Sequence, residues 1–341
     1  MDINGLLAAT FNRFCILDAY AFLRRKLTKS QVFILMYHRI SPMRDSSSLE
    51  PLSPQSFEHH IRYFCENYEI LPLDRLVKYI EKGKTLPEKA VVITFDDGYK
   101  DNYLYAYPIL KKYHVPATIF LTTGHIGTSN LFWFDKVSYI IQNTNIDQLN
   151  LDELGSYSLQ SELDRFQVCS IISERLKKMS EERRKLLVEK LLTISGVKIP
   201  QDLAKGLILS WDEIREMSND GISFGAHTVS HPILTNLPLA QANLEIIQSK
   251  MAIEEEIGKQ VDAFSYPNGG FDDFNAEIVE LIKKNGFTCA VAVSPNKLIG
   301  SKDSVYELSR IPMGEDFNKC KIIFCGLWGD LHDMARLGGL E

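Results

Sequence analysis

The chain of 341 residues is missing the features that would assign it to several large classes of protein. It has no C-x-x-C pair, and its six cysteines, Cys15, Cys65, Cys169, Cys289, Cys320 and Cys325, are scattered. Several lie inside apolar runs, so they read as reduced core residues rather than a disulfide framework, which favours a reducing compartment. Clustered positive charge is also missing. With a net charge of −6 the chain has no basic footprint for phosphates, and nucleic acid is not expected as a partner. No window holds the roughly 20 apolar residues of a membrane span. Internal repeats and low-complexity linkers are absent too.

The N-terminus lacks a secretory signal, because Arg24, Arg25 and Lys26 follow its apolar part instead of preceding it. Residues 1–30 read instead as an amphipathic helical segment with Phe11, Phe14, Leu17 and Phe22 on one side. Two roles stay open for it: peripheral contact with a membrane surface, or packing against the domain. Without a signal or a span, the expected location is the cytoplasm or the cytoplasmic membrane face.

What is present is an ordinary globular composition, 45% hydrophobic and 24% charged, enough for one large core or two modest ones. Short branched-residue runs alternate with helical patterns. Val32–His38, Ala90–Phe95, Ala117–Thr123, Ile222–His227, Asp262–Pro267 and Thr288–Val293 read as buried strands. Ser53 and Pro54 open a helix with Phe57, Ile61 and Phe64 on one face, and Leu73, Leu76, Val77 and Ile80 make a second stripe. Alternation of this kind implies an α/β fold with a parallel sheet, open or closed into a barrel, and chemistry at the C-terminal strand ends. The rhythm breaks at about 133–204, where a charged, helical stretch reads as an insertion, with solvated helix faces or a lid as its role.

Three motifs fall at strand ends. In "TFDDGY", Asp96 and Asp97 follow a strand and Gly98 allows an immediate turn. Adjacent side chains there point in different directions, so one carboxylate can bind a metal while the other faces a substrate; a simple turn is the competing reading. In "HTVSH", His227 and His231 are spaced to converge on one ion, and with one Asp they make the three ligands and open position of a catalytic zinc site. In "FSYPNGG", Tyr266, Pro267 and two glycines make a tight turn able to aim a backbone N–H at an oxyanion.

In this order, TFDDG, H-T-x-x-H and Y-P-x-G resemble the polysaccharide deacetylase family, the NodB-homology or carbohydrate esterase family 4 enzymes. With the preceding "ILMYHRI", the chain is most similar to the branch containing poly-N-acetylglucosamine deacetylases, over about Val32 to Pro312. The resemblance implies a distorted (β/α) barrel over 31–320, interrupted by the helical insertion and followed by a C-terminal segment, 321–341. It implies that Asp97, His227 and His231 hold a divalent metal, zinc first, and that Asp96 is the general base. The oxyanion would rest on the metal and the Tyr266 N–H. Tyr99, Thr228, Ser230, Pro267 and Asn268 become candidate substrate contacts, Thr228 and Ser230 alternatively supporting the histidine loop.

Two departures stand out. Many family members carry Arg just before the third-motif proline, where this chain has Ser265 and Tyr266; Arg310, in "ELSRIPM", is the candidate to orient the base, against a surface ion pair. The family's late Leu-x-His acid motif is matched only weakly by His332 in "DLHDM", so His38 in the Tyr-His motif is the candidate acid. An amide leaving group needs that proton more than an ester does. The function implied is N-deacetylation of N-acetylhexosamine units in a poly- or oligosaccharide or lipid-linked precursor. Its alternatives are O-acetyl esterase activity on the same site and an inactive carbohydrate-binding homologue.

Overall fold

The computed structural model describes residues 31–43, 49–200, 202–293 and 299–317. The N-terminal segment, the C-terminal segment with His332, and Cys15, Cys320 and Cys325 lie outside the described residues. Strands β1 (Gln31–Tyr37) and β3 (Lys89–Phe95) pair in parallel along their whole length, from Gln31 opposite Lys89 to Tyr37 opposite Phe95. Around the ring follow β4 (Thr118–Leu121), β7 (Ser223–Ala226), β8 (Ala263–Ser265), β9 (Cys289–Val293) and β10 (Leu308–Pro312), which returns to β1. All are parallel, and the barrel is closed by seven strands. The two-residue β2 (Glu69–Ile70) pairs with the start of β3, on which β4 pairs only with the end. Closure is uneven. The β7–β8 contact has a single register pair, Ala226 with Phe264.

Period-two alternation divides the strand side chains between two apolar cores. Val32, Ile34, Ala90, Val92, Cys289, Val291 and Leu308 cluster with Phe120 in one, together with Leu73, Leu76, Val77 and Ile80 of helix α2 (Leu73–Glu81). Their intervening neighbours, Phe33, Leu35, Tyr37, Val91, Ile93 and Phe95, pack on the surrounding helices, including Phe57, Ile61 and Phe64 of α1 (Pro54–Asn67). The first set fills the barrel. Its size is set by Phe120, because a Cβ on Gly225 would lie 2.4 Å from that ring. The same barrel-facing parity continues upward through Thr94 and Asp96 on β3 and through Arg310 on β10. Polar groups therefore crown an apolar plug.

Helix α3 (Tyr107–Tyr113) precedes β4, and α4 (Trp133–Asn143) begins the inserted stretch. Alongside helices α5 (Glu162–Lys177) and α6 (Glu181–Ser195), the stretch contains an antiparallel hairpin, β5 (Gln148–Leu151) and β6 (Gly155–Ser158). The purely helical expectation is corrected there, since four-residue polar strands carry almost no periodic signal. Val137, Ile140, Leu149, Ile172 and Leu187 belong to a third core separate from the barrel. The chain returns through α7 (Leu203–Leu207) and α8 (Trp211–Asn219), with α9 (Leu239–Ile257) and α10 (Ala276–Lys284) after β7 and β8. Among the described cysteines all are free, Cys169 and Cys289 buried but Cys65 exposed. No helix among the described residues is long and apolar enough to cross a membrane.

His60, on α1, is buried against the Phe317 ring (4.3 Å) with Nδ1 3.3 Å from the Tyr37 hydroxyl, and its Nε2 has no hydrogen bond among the described residues. Burial, with help from His59 and against Glu315, pushes this imidazole down to about 4. The folded pKa is therefore below the unfolded one, so this stabilisation is complete above about 6.5 and is lost as pH falls towards 4. Melting temperature followed by circular dichroism in chelator should drop across that window, and His60→Leu should reduce the drop.

Candidate active site

Asp96 continues β3, its N–H donating to the Tyr37 carbonyl at 3.0 Å, and Gly98 N–H closes a tight turn on the Asp96 carbonyl at 2.9 Å. Asp97 and Gly98 both have left-handed backbone, with φ of 72° and 82°. A Cβ on Gly98 would sit 2.9 Å from Leu121 Cδ2, so the turn has no room for a side chain. Thr228, His231 and Asn268 are left-handed as well (φ 67°, 59° and 60°). Strained backbone thus gathers on the motif loops, where it persists because the surrounding contacts over-determine it.

Asp97 Oδ1 lies 3.5 Å from His227 Nε2 and 3.4 Å from His231 Nε2. These contacts are not ion pairs, because burial pushes the His227 imidazole down and the His231 imidazole well down, leaving both neutral. His227 Nδ1 is 2.7 Å from the Ser265 carbonyl, an acceptor only, so Nδ1 carries the proton and Nε2 presents its lone pair. Asp97 Oδ1 is buried with no hydrogen-bond donor among the described residues. His227 Nε2 presents a lone pair and Asp97 Oδ1 lacks a donor, so a cation placed between them and His231 Nε2 would satisfy atoms that otherwise face one another unpaired among the described residues. Asp97, His227 and His231, all buried, fit a divalent metal by geometry and by donor chemistry, two neutral nitrogens and one carboxylate.

The neighbouring carboxylate is treated differently. Arg310 Nη1 and Nη2 donate to Asp96 Oδ1 and Oδ2, each at 2.6 Å, a bidentate pair of two buried groups. Arg310 Nη2 also donates to Ser265 Oγ at 2.8 Å, and Nη1 approaches Thr94 Oγ1 at 3.3 Å. Burial alone would raise the Asp96 carboxyl, but the guanidinium, with His227 beside it, holds it well below the usual carboxylate range. Asp97, without such a partner, is pushed well up by burial and by Asp96. His38 stands half-buried just beyond β1; burial pushes its imidazole down to about 4, against the pull of Asp96.

The family model for polysaccharide deacetylase matches residues 83–290. The chain belongs to the polysaccharide deacetylase family. It is 27% identical over 280 residues to YxkH of Bacillus subtilis, a protein named for polysaccharide deacetylase activity, covering 82% of this chain and 70% of YxkH. It is 38% identical over 118 residues to the poly-beta-1,6-N-acetyl-D-glucosamine N-deacetylase of Staphylococcus epidermidis, but that match spans only 31% of this chain and 40% of the relative. Among solved structures, the fold is shared with the Streptococcus pyogenes deacetylase PplD in complex with acetate (TM-score 0.57, 20% identity, 87% and 98% coverage). IcaB from Ammonifex degensii is similar at TM-score 0.56 and 17% identity, with 87% and 97% coverage. Family membership and the buried triad support metal-dependent deacetylase or esterase chemistry for this deacetylase-family chain.

Several expected contacts need correction. The Tyr266 N–H cannot serve an oxyanion, because it donates to the Val291 carbonyl (3.2 Å) between β8 and β9; its ring stacks on Phe274 at 4.1 Å and its hydroxyl donates to the Tyr306 carbonyl. Tyr99 is fully buried, with its ring beneath the Arg39 guanidinium and its hydroxyl donating to Asp135 at 2.9 Å, so it presents no surface to a sugar. Thr228 is equally buried; its Oγ accepts from the His231 N–H (3.0 Å) and donates to the His227 carbonyl, which braces the loop. Pro267 is buried in its turn, whereas Asn268 and Ser230 are exposed. Ser230 is held by Glu245, which accepts from the Val229 and Ser230 N–H groups (2.8 and 2.9 Å) and the Ser230 hydroxyl (2.8 Å).

Glu245 was not singled out in the sequence, nor were Phe132 and Phe134, whose rings stand edge-on to His231 at 5.7 and 5.6 Å. Only their place at the head of the insertion hints at them.

The Asp96–Arg310 pair makes a direct prediction. Breaking a buried pair strands one charge, so Arg310→Met should lose on the order of 3–5 kcal/mol in denaturant unfolding at neutral pH. Asp96→Leu/Arg310→Met should recover most of that loss.

Proposed function

We propose that this chain is a metal-dependent carbohydrate N-deacetylase, hydrolysing N-acetyl groups of N-acetylhexosamine units in a poly- or oligosaccharide or its lipid-linked precursor and releasing acetate. The observation that carries the reading is one ionised buried carboxylate, Asp96, fixed by Arg310 directly beside the Asp97–His227–His231 triad. The poly-beta-1,6-N-acetyl-D-glucosamine N-deacetylases among the relatives support the amide substrate.

A divalent cation held by Asp97, His227 and His231, zinc by its donor set, supplies Lewis acidity towards water and the acetyl carbonyl. Asp96, kept unprotonated and held in one rotamer by the bidentate Arg310, takes the proton as water adds to that carbonyl. The oxyanion donor is reassigned to the Asn268 N–H. Pro267 has no N–H, the Tyr266 N–H is taken, and the Asn268 N–H has no hydrogen-bond partner among the described residues. His38 gives a proton to the amine nitrogen as the C–N bond breaks. Because burial keeps His38 neutral in the resting protein, the proton it delivers is the one Asp96 takes from water, passed on within the cycle, and its low pKa then makes it a strong acid. Ser230 and Asn268, exposed at the rim, are the remaining sugar contacts of the motif loops.

The two aspartates should separate cleanly. Wild-type protein should bind about one zinc per chain. Asp97→Asn should weaken that binding, whereas Asp96→Asn should keep the metal and lose turnover; elemental analysis beside acetate release from N-acetylglucosamine oligomers decides, and equal metal loss in both variants refutes the division. O-acetyl esterase activity is the competing reading, tested by the same assay on O-acetylated sugars.

His38→Ala should retain metal and fold but lose amide hydrolysis on the order of 10²–10⁴-fold. Cleavage of 4-nitrophenyl acetate should survive, since a phenolate leaves without a proton. Equal loss on both substrates would remove His38 from the acid role.

A further inference from the structure

We infer that Asp101 and Asn102, in the segment just beyond the aspartate motif, are positioning residues for His38. The inference rests on the reading of His38 as proton donor. The His38 ring makes no hydrogen bond among the described residues, so its place depends on the backbone that carries it. That backbone has left the barrel: β1 ends at Tyr37, and the next sheet-like contact is the Leu52 N–H donating to the Arg39 carbonyl.

Three side-chain bonds converge on the end of this strand from the Asp101–Asn102 pair. Asn102 Nδ2 donates to the His38 carbonyl at 2.8 Å, Asp101 Oδ1 accepts from the Ile40 N–H at 3.2 Å, and Asp101 Oδ2 accepts from Arg39 Nε at 2.8 Å. Asn102 Nδ2 also donates to Asp101 Oδ1 at 3.0 Å, which locks the two into one unit. All three side chains, Arg39, Asp101 and Asn102, are buried. Arg39 lies over the Tyr99 ring at 4.8 Å, which bears on it from the aspartate turn. The geometry therefore couples the loop of Asp96 and Asp97 to the histidine on the adjoining strand end, so that base and acid are placed by one stretch of chain.

Two features distinguish this clamp from ordinary packing. Asn102 Oδ1 is buried with no hydrogen bond among the described residues, an unfavourable state that an apolar side chain of similar size would avoid. Asn102 also opens a π-helical turn, Asn102–Ala106, a form that recurs at functional sites because it places side chains an α-helix would misalign. The asymmetry is explained if the amide donor to His38 is what the position requires. Proton transfer needs heavy atoms within about 2.6–3.2 Å, so a small drift of the strand end is felt in the chemical step.

The test uses the full chain, loaded with zinc, as Asn102→Leu and the milder Asp101→Asn. The probes are an N-acetylglucosamine oligomer and 4-nitrophenyl acetate. For Asn102→Leu, kcat on the oligomer should fall on the order of 10–10²-fold with KM and zinc content unchanged, while ester turnover is largely retained; Asp101→Asn should fall less, in the same direction. Amide and ester activity falling together, or neither falling, overturns the clamp. His38→Ala run in parallel separates the two levels. If it shows the amide-selective loss and the clamp variants do not, only the clamp is wrong; if it shows none, the acid assignment falls and takes the clamp with it.

Discussion

The whole arrangement depends on burying two adjacent carboxylates at one strand end. Asp96 and Asp97 are each only 2% exposed, and two bare charges at that depth would not be tolerated. The chain answers the two charges in different ways. Asp96 receives a full counter-charge, Arg310, in a bidentate pair. Asp97 receives none: its nearest partners are imidazoles that burial keeps neutral. The excess negative charge is left at one point, facing two nitrogen lone pairs. A site of that kind suits a small divalent cation, because one cation satisfies all three donors at once.

Barrel closure makes this division feasible. Arg310 reaches Asp96 from the last described strand, and it can do so only because β10 returns to β1 and β1 lies against β3. The two residues then share the barrel interior, above an apolar plug that keeps water from the pair. Ser265, on β8, closes the far side: its hydroxyl accepts from Arg310 and its carbonyl accepts from His227 Nδ1. One residue thereby links Arg310, the counter-ion of Asp96, to the orientation of His227. It occupies the stretch where many relatives carry an arginine, so the absent cation and the cation from β10 meet at the same place.

Six of the seven barrel strands were legible because barrel strands are buried on both faces and appear as unbroken branched runs; β10 was not among those runs. The two-residue β2 and the β5–β6 hairpin were not, since neither is long enough to set a period. Within the site, the local motifs could be read directly, as Asp96, Asp97, His227 and His231 are fixed by turns of a few residues. The Asp96–Arg310 contact spans 214 positions, and only the missing arginine of the third motif pointed to it. Tyr266 was misjudged for a physical reason. Whether a backbone N–H is free depends on the register of the neighbouring strand, and no single-chain pattern reports that register. Tyr99 was misjudged because a residue after a glycine turn looks exposed, whereas this turn folds it beneath Arg39.

The inserted helices complete the site from outside the barrel. Phe132 and Phe134 precede and begin α4, and they form an aromatic wall against His231, while the opposite faces of α4 to α6 pack into a core of their own. The attachment owes little to charge: Lys177, partly exposed, stands 3.6 Å from the buried Asp273, a long contact. What holds is buried, the Tyr99–Asp135 hydrogen bond and the stacking of Phe132 on His125 at 4.1 Å. Tyr99 therefore joins three parts at once, the aspartate turn, the Arg39 strand end and the insertion, without touching a ligand itself. A residue in that position ties the insertion to the aspartate turn and to the end of β1 through contacts that are all buried.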